Sequence, residues 1–125
     1  MEQKFYICKG CGKIIQMIKG SACPTKCCGE PMEELIPGTS DGAHEKHVPV
    51  FTVEGNLVKV QVGEVVHPMM DAHFIQWIQV QTNQGIQRKN LTPQDEPKAV
   101  FALTEGEQVE AVYEYCNLHG LWKAE

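Results

Sequence analysis

A chain of 125 residues, 42% hydrophobic and 22% charged, is typical of a soluble protein with one ordinary domain, or one domain and a small appendage. Its formal net charge of -5 argues against general nucleic-acid binding, because phosphate recognition needs clustered Lys and Arg. No apolar run approaches the roughly 18 residues that span a bilayer, and residues 1–6 lack the apolar core of a secretory signal. We therefore expect a cytoplasmic protein without a membrane or nucleic-acid partner.

Five of the six cysteines fall near the start of the chain, at Cys8, Cys11, Cys23, Cys27 and Cys28. In a reducing cytoplasm, cysteines at this density favour metal ligation over disulfides. The first two have the spacing of a metal knuckle, and two of the other three would complete a tetrahedral thiolate site for zinc or iron. Spacing alone favours a structural zinc ribbon with Cys23 and Cys27 as the second pair. Adjacent residues such as Cys27 and Cys28 point opposite ways in an extended chain.

Residues 1–36 are too few to be held by a hydrophobic core alone, since folds below about 40 residues usually need a staple. A bound metal is the staple that these cysteines offer. Residues 37–42, with the sequence Pro-Gly-Thr-Ser-Asp-Gly, are rich in turn formers and predict a linker. The sequence therefore predicts a metal-stapled domain over residues 1–36, a linker over 37–42 and a second domain over 43–125.

The second segment carries the signals of β-strands. In residues 57–62 three valines alternate with Lys59 and Gln61, as expected for a strand with one buried face. Similar alternation or apolar runs occur at 48–53, 74–81, 99–103 and 109–115, separated by Pro and Gly. About seven short strands without a convincing helical period predict a mainly β protein. Its larger domain should be a seven-stranded, antiparallel, immunoglobulin-like β-sandwich.

The same segment contains a second set of candidate ligands. Cys116 and His119 are three residues apart, so a thiolate and an imidazole can meet one metal across a turn. His67 precedes a proline and His73 precedes an apolar run, which places both at strand ends or in loops. Any one histidine alone is more often a surface or structural residue. If these residues converge with His47, the site has five ligands, one more than zinc usually takes, and an octahedral ion such as iron would keep one position open.

Together these motifs resemble the desulfoferrodoxin family of superoxide reductases, in order and over nearly the whole chain. The likeness rests on a cysteine pair, a Glu-Lys-His triplet and a Cys-x-x-His ending. The matching stretches are the Cys8 knuckle, residues 27–32, 38–42, 45–50, 67–69, His73, 115–120 and 122–125. This combination is specific, because its parts are unrelated in chemistry and distant in sequence.

The resemblance implies two mononuclear iron ions per chain, and it favours iron over the zinc suggested by cysteine spacing. The first would be a distorted tetrahedral iron in a desulforedoxin-like domain. Its implied ligands are Cys8, Cys11, Cys27 and Cys28. The second would be a square-pyramidal iron with four equatorial imidazoles and an axial thiolate. Its implied ligands are His47, His67, His73 and His119, with Cys116 in the axial position.

The resemblance also implies an activity, the one-electron reduction of superoxide to hydrogen peroxide at the second iron. Electrons would come from a small rubredoxin-type carrier, and the protein would be a homodimer. Lys46 would attract the anion and order a water, and Glu45 would bind the open position of the oxidised iron. Cys23 and His44 lie outside the family's pattern and are expected at the surface. Trp122 is expected to be a core or rim aromatic.

Two other classes of function fit the residues without the resemblance. One is a zinc-ribbon interaction module carried on a β-sandwich, with no catalysis. The other is an electron carrier whose second site is closed to substrate. In both, Glu45 and Lys46 would be a solvated charged pair of little energetic consequence. Metal content and the absorption band of a thiolate bound to iron(III) would separate the enzyme from a colourless zinc protein.

Overall fold

A computed structural model of the protein describes residues 2–125, which consist almost entirely of antiparallel strands. The chain divides into two units between Ile36 and Pro37. The predicted fold class is confirmed, since the described residues are mainly β and the cysteine cluster lies in the N-terminal unit. One helical turn, α1 (His44–His47), was not expected from the sequence. Over residues 2–125, no helix has the length and apolar character needed to cross a membrane.

The N-terminal unit contains two small sheets. A three-stranded sheet has the order β2-β1-β5, and β3 pairs with β4 in a separate hairpin. The strands are β1 (Lys4–Ile7), β2 (Ile14–Met17), β3 (Lys26–Cys27), β4 (Glu30–Pro31) and β5 (Glu33–Leu35). Among residues 2–36, only Phe5 and Cys8 are buried. Two buried side chains contribute a few kcal/mol at most, about 1.5–3 kcal/mol for a large apolar one, so a metal staple fits this unit.

The second unit contains seven strands in two antiparallel sheets, as the sequence predicts. One sheet has the order β10-β7-β6 and the other β12-β11-β8-β9. The strands are β6 (Pro49–Glu54), β7 (Leu57–Val62), β8 (Ile75–Thr82), β9 (Gly85–Asn90), β10 (Lys98–Ala102), β11 (Val109–Cys116) and β12 (Gly120–Ala124). The ends of these strands, and the loops beside them, carry the histidines and Cys116.

A hydrophobic core fills the space between the two sheets of the second unit. Strand β7 shows the expected period of two, because Val58, Val60 and Val62 are buried while Lys59 is exposed. The rest of the cluster comes from β10 and the residue after it, in the same sheet, and from β8 and β11 of the other sheet. Its other members are Ile75, Ile78, Val80, Ala99, Phe101, Leu103, Val112 and Cys116. The inclusion of Cys116 shows that the inner face of β11 leads directly from the core to the candidate metal site.

One carboxylate is enclosed beside that core. Glu114 is fully buried on β11, opposite Ile78 on β8 and Trp122 on β12. Within the described residues neither oxygen of its carboxyl has a hydrogen-bond partner. Burial raises the pKa of Glu114 well above its usual value, because an ionised carboxylate loses its hydration. Burial therefore favours the neutral form of this carboxyl group.

Side chains of β9 cap the open edge of the neighbouring sheet. Gln87 donates from Nε2 to the carbonyl of Ala102 at 2.8 Å, and the ammonium of Lys89 donates to the carbonyl of Val100. Both acceptors lie on β10, an edge strand whose outward carbonyls would otherwise be free to pair with another strand. The two sheets are thus linked along this edge.

Candidate metal centres

The first centre brings together four cysteine sulfurs in the N-terminal unit. The ligand atoms of Cys8, Cys11, Cys27 and Cys28 lie within 4.8 Å of one another, and the sulfurs of Cys11 and Cys27 are 3.7 Å apart. This is the tetrad that the family resemblance implies. Cys23 is exposed and lies outside the cluster, so the zinc-ribbon set suggested by spacing alone is wrong.

The knuckle at Cys8 and Cys11 is a tight turn between β1 and β2. The amide of Cys8 donates to the carbonyl of Lys13 at 2.9 Å, and the amide of Gly12 donates to the carbonyl of Cys8 at 2.7 Å. A Cβ added at Gly10 would lie 3.1 Å from the Cβ of Cys28 and 3.6 Å from the sulfur of Cys8. The knuckle therefore needs glycine at this position to let the second cysteine pair approach.

A two-residue turn explains how adjacent cysteines can face one point. Strands β3 and β4 are joined by Cys28 and Gly29, whose φ angles are 53° and 78°. Two successive positive φ angles in a two-residue hairpin loop are the signature of a type I′ turn. The chain reverses across Cys28 and Gly29, so Cys28 is not part of an extended strand and need not point away from Cys27. A left-handed conformation at a non-glycine residue costs about 1–2 kcal/mol. This cost indicates that a cysteine occupies the position because its sulfur is needed in the cluster.

The thiols of Cys8 and Cys28 differ in pKa. A hydrogen bond from the amide of Cys11 is the main cause that lowers the pKa of Cys8 to about 7. The hydrogen bond with Cys8 is the main cause that raises the pKa of Cys28 to about 12. Cys8 therefore loses its proton more readily than Cys28, and a bound cation would favour the thiolate form of Cys28. Four thiolates around one point suit a tetrahedral zinc or iron ion.

The second centre lies in the C-terminal unit and combines imidazoles with a thiol. The ligand atoms of His47, His67, His73 and Cys116 lie within 4.8 Å of one another. These residues come from the end of α1, the loop after β7, the loop before β8 and the end of β11. His47, His67 and Cys116 are buried, and His73 is half-buried. The sandwich thus gathers four of the five predicted ligands from distant parts of the chain.

The distances in this cluster suit one metal ion. Nε2 of His67 lies 3.2 Å from Nε2 of His47 and 3.5 Å from the sulfur of Cys116. Two nitrogens bound at right angles to one ion, with bonds of about 2.1 Å, would be about 3.0 Å apart. Nε2 of His73 is buried and has no hydrogen-bond partner among residues 2–125. A cation would satisfy this orphaned acceptor, because buried polar atoms are otherwise nearly always paired.

Backbone carbonyls fix the orientation of two of these rings. Nδ1 of His47 donates to the carbonyl of Ala43 at 2.8 Å, and Nδ1 of His67 donates to the carbonyl of Pro68 at 2.7 Å. A proton held at Nδ1 leaves Nε2 as the free acceptor of the neutral ring. Such hydrogen bonds are the usual support of metal-binding histidines, since they set both the tautomer and the ring plane.

His119 is adjacent to the cluster but outside the four-residue group. Its ring centroid lies 4.8 Å from that of His47 and 5.1 Å from that of His73. Its Nδ1 is engaged with the carbonyl of Asp41 at 2.7 Å. The structure thus places the predicted fifth ligand at the rim of the site, and its ligation stays a prediction.

Burial favours the neutral form of three of the imidazoles. Burial lowers the pKa of His67 to about 4, because the charged ring would lose its hydration. Burial also lowers the pKa of His47 and of His73, and the positive charge of Lys46 acts in the same direction on both. Burial raises the pKa of Cys116, so its thiol keeps its proton until a metal takes its place.

Glu45 and Lys46 occupy α1, and a loop against their backbone holds the helical turn in place. The amide of Val65 donates to the carbonyl of Glu45 at 2.9 Å. Gly63, with a φ of 81°, lies so close that an added Cβ would be 2.5 Å from the carbonyl oxygen of Lys46. Both charged side chains are exposed. The positive charge of Lys46 is the smallest of the causes that lower the pKa of His47 and of His73.

Trp122 and Gly42 are site residues that the sequence did not reveal as such. The indole of Trp122 stacks on His47, with ring centroids 5.1 Å apart and an angle of 24°, and its Nε1 donates to the carbonyl of His119 at 2.9 Å. A Cβ at Gly42 would lie 3.2 Å from both the His47 and Trp122 rings and 3.1 Å from the Cβ of His119. The only sequence signal was the position of Trp122, three residues after His119.

Comparison with known proteins agrees with these two centres. The family model described as Desulfoferrodoxin matches residues 39–125. Desulfoferrodoxin from Syntrophotalea carbinolica is 47% identical over 96% of this chain and 94% of its own length. Desulfoferrodoxin from Nitratidesulfovibrio vulgaris is 44% identical over 99% of this chain and 97% of its own length. The crystal structure of the superoxide reductase from Treponema pallidum matches with a TM-score of 0.83 and 38% identity, covering 99% of this chain and 98% of that one.

The fold and its two ligand clusters define a small β protein with a thiolate centre and a mixed imidazole–thiolate centre. The chain belongs to the desulfoferrodoxin family. The predicted family resemblance is thereby confirmed. The two clusters are consistent with two iron centres per chain, so the prediction of iron over zinc is also confirmed.

Proposed function

We propose that this protein reduces superoxide to hydrogen peroxide, one electron at a time, at the second centre. The observation that carries the proposal is the convergence of His47, His67, His73 and Cys116 on one point in a desulfoferrodoxin. Superoxide reductase is also the name of the Treponema pallidum protein that this chain matches over nearly its full length. The enzyme is accordingly an oxidoreductase that acts on superoxide.

We assign the second iron to four histidines and one cysteine. The proposed ligands are His47, His67, His73, His119 and Cys116. For His119 to join the other four, its Nδ1 must exchange the carbonyl of Asp41 for the metal, or its ring must turn to present Nε2. An iron ion held there would supply the single electron, and the thiolate of Cys116 would increase its electron density, as thiolate ligands tune haem iron.

Lys46 is proposed to guide superoxide to the centre. Superoxide is a small anion, and the net charge of the whole protein is -5, so attraction must be local. One positive side chain close to the histidines can focus the potential at an opening and raise the association rate. The ammonium of Lys46 is also suited to order a water molecule that donates a proton. Superoxide needs one electron and two protons to become hydrogen peroxide.

Glu45 is proposed to occupy the open position of the centre when no substrate is bound. Its neighbour in α1 is Lys46, and both are carried by the same backbone that Gly63 and Val65 hold in place. A carboxylate is a suitable ligand for oxidised iron because it is a hard anion. It must leave on reduction, and its exposed location in the described structure gives the side chain room to do so.

The N-terminal unit, proposed as a domain over residues 1–36 with the linker at 37–42, would hold the first iron with Cys8, Cys11, Cys27 and Cys28. We propose a small rubredoxin-type protein as electron donor, and a cytoplasmic homodimer as the working form. Family membership and the tetrahedral thiolate set support the iron assignment. Removing this iron would show whether it relays electrons or only stabilises its domain.

Product stoichiometry tests the proposed reaction. The protein is reduced beforehand, exposed to a pulse of superoxide, and assayed for peroxide and oxygen. A reductase gives one peroxide per superoxide and per electron lost from the protein, with no oxygen evolved. Oxygen release at half the superoxide consumed, without net oxidation of the protein, would show a dismutase. A protein that contains zinc and leaves superoxide to decay at its spontaneous rate would be a non-catalytic module.

A further inference from the structure

Three aromatic rings connect the surface of the second unit to the mixed imidazole–thiolate centre. His44 is exposed, and its ring meets that of Trp122 edge-on, with centroids 5.1 Å apart and an angle of 82°. Trp122 is only 1% exposed and stacks on His47 at 5.1 Å and 24°. His47 in turn lies within the ligand cluster. The rings thus form an unbroken series of contacts from solvent to a proposed iron ligand.

The outer end of this series is accessible from solvent. A surface depression of about 270 Å³ lies beside it. The depression is lined by Pro37, Gly38, His44, Val48, Trp122 and Lys123. A protein partner that covers this depression would touch His44 directly and come close to the edge of the indole.

This approach is separate from the one proposed for superoxide. Lys46 follows His44 by two residues in α1, and residues two apart on a helix do not share a face. Lys46 instead lines a second groove, of about 550 Å³, together with Val66 and His67. The groove and the depression share no residue. A partner protein bound at His44 therefore leaves the groove beside Lys46 accessible to a small anion.

We propose that electrons from the carrier protein reach the second centre through His44, Trp122 and His47, a route that rests on the function proposed above. One electron leaves a reduced iron–thiolate carrier, which is oxidised by one electron, and the centre is reduced by one electron. No proton or atom is transferred. The physical reason is distance, because electron transfer slows steeply as the gap between donor and acceptor widens. Rings in van der Waals contact shorten that gap from the surface to the ligand.

The test compares replacements of His44 in the two-iron protein. His44→Leu removes the outer ring, His44→Phe keeps a ring of similar size, and Leu118→Ala is the control beside His119, where Leu118 is 60% exposed. Stopped-flow mixing of each oxidised protein with reduced rubredoxin measures carrier-to-protein transfer. Hexaammineruthenium(II), a small reductant, and a superoxide pulse on pre-reduced protein measure access through the opening. Iron content and the absorption spectrum report the state of the centre.

We expect His44→Leu to slow reduction by rubredoxin about tenfold, within the range over which interface variants change association rates. His44→Phe should restore the rate, and the ruthenium, superoxide and spectral measurements should be unchanged. Equal rates for wild type and His44→Leu, or slow transfer confined to Leu118→Ala, would overturn the route. A changed spectrum or slower superoxide reaction in His44→Leu would show a structural role and also overturn it. Failure of wild type to reduce superoxide would instead refute the proposed function.

A second measurement does not depend on turnover. Diethyl pyrocarbonate acylates free imidazoles, and His44 is an exposed imidazole outside the proposed ligand set. Mass spectrometry of the iron-loaded protein should show modification of His44 that saturating rubredoxin suppresses. Modification of His44 at the same rate with and without rubredoxin would contradict docking at this surface.

Discussion

Nε2 of His47 and Nε2 of His67 lie 3.2 Å apart, and each ring is held in that position by an Nδ1 hydrogen bond to a backbone carbonyl. Two neutral nitrogens at this separation gain little from each other, since neither has a proton to donate there. Their positions match adjacent sites around one cation. The second centre is therefore pre-organised by the fold, and metal binding does not have to assemble these two rings.

Lys46→Ala should slow the capture of superoxide by about tenfold, as expected for the loss of one focusing charge at an anion site. Higher ionic strength should slow the wild type more than the variant, because salt screens the charge that the variant lacks. Pulse radiolysis of pre-reduced protein over a range of salt concentrations measures both effects. Lys59→Ala removes the same charge from an exposed lysine paired with Glu54 and should behave as wild type. If all three proteins show the same rate and the same dependence on salt, Lys46 does not guide superoxide to the centre.

Glu45→Ala should leave the reaction of the reduced protein with superoxide largely intact, since the carboxylate is proposed to bind only the oxidised centre. The absorption spectrum of the oxidised iron should change, because water or hydroxide would take the vacated position. Spectra recorded on oxidised wild type and variant across a pH series provide the comparison. If the two spectra coincide at every pH, Glu45 does not bind the metal.

Glu107→Gln should make the second unit less sensitive to acid. Hydrogen bonds from Thr82 and from the amide of Thr104 lower the pKa of Glu107, so its contribution is complete above its usual pKa of about 4.5. That contribution is lost as the pH falls through the lowered pKa, whereas the neutral amide has none to lose. Thermal unfolding between pH 6 and pH 3 should show a smaller decline for Glu107→Gln than for wild type. Glu105→Gln, an exposed neighbour, should decline like wild type, and parallel curves for all three proteins would rule out the effect.

Replacing Cys27 and Cys28 by serine should remove the first iron and loosen the N-terminal unit, which has few buried side chains of its own. The second iron should remain, because its proposed ligands begin at His47. Metal analysis and a superoxide pulse on the pre-reduced variant test this separation. Cys23→Ser is the control and should keep both irons, since Cys23 is exposed and outside the cluster. Steady turnover with rubredoxin that falls only in the double variant would assign an electron relay to the first iron.

The sequence predicted the strands with a regular apolar pattern and missed those without one. Strand β7 was predicted with its observed bounds, because its valines alternate cleanly with polar residues. Strand β9 was not singled out, since only one of its six residues is even half-buried and its sequence is mostly polar. It is an edge strand that is defined by pairing with β8 and by its bonds to β10. A strand that is defined by such tertiary contacts need not show a periodic pattern of apolar residues in its sequence.

The ligand residues were visible in the sequence as chemical types and spacings, but their supports were not. Spacing alone chose Cys23 over Cys28, because it could not foresee the I′ turn that reverses the chain at Cys28. Trp122 was expected in the core or rim, and it became a site residue only when β12 placed it against His47. The carbonyl partners of His47 and His67 depend on backbone geometry, which residue identity does not reveal.

The central claim is that superoxide is reduced at the centre that contains Cys116. Cys116→Ser keeps the size of this fully buried side chain and replaces the thiolate with a poor electron donor. The measurement is the rate of peroxide formation after a superoxide pulse, on pre-reduced Cys116→Ser whose first iron is confirmed by its absorption spectrum. We expect no reduction above the spontaneous decay of superoxide, with the first centre unchanged. Peroxide formation at close to the wild-type rate would show that Cys116 is not a ligand of the reacting iron and would contradict the account.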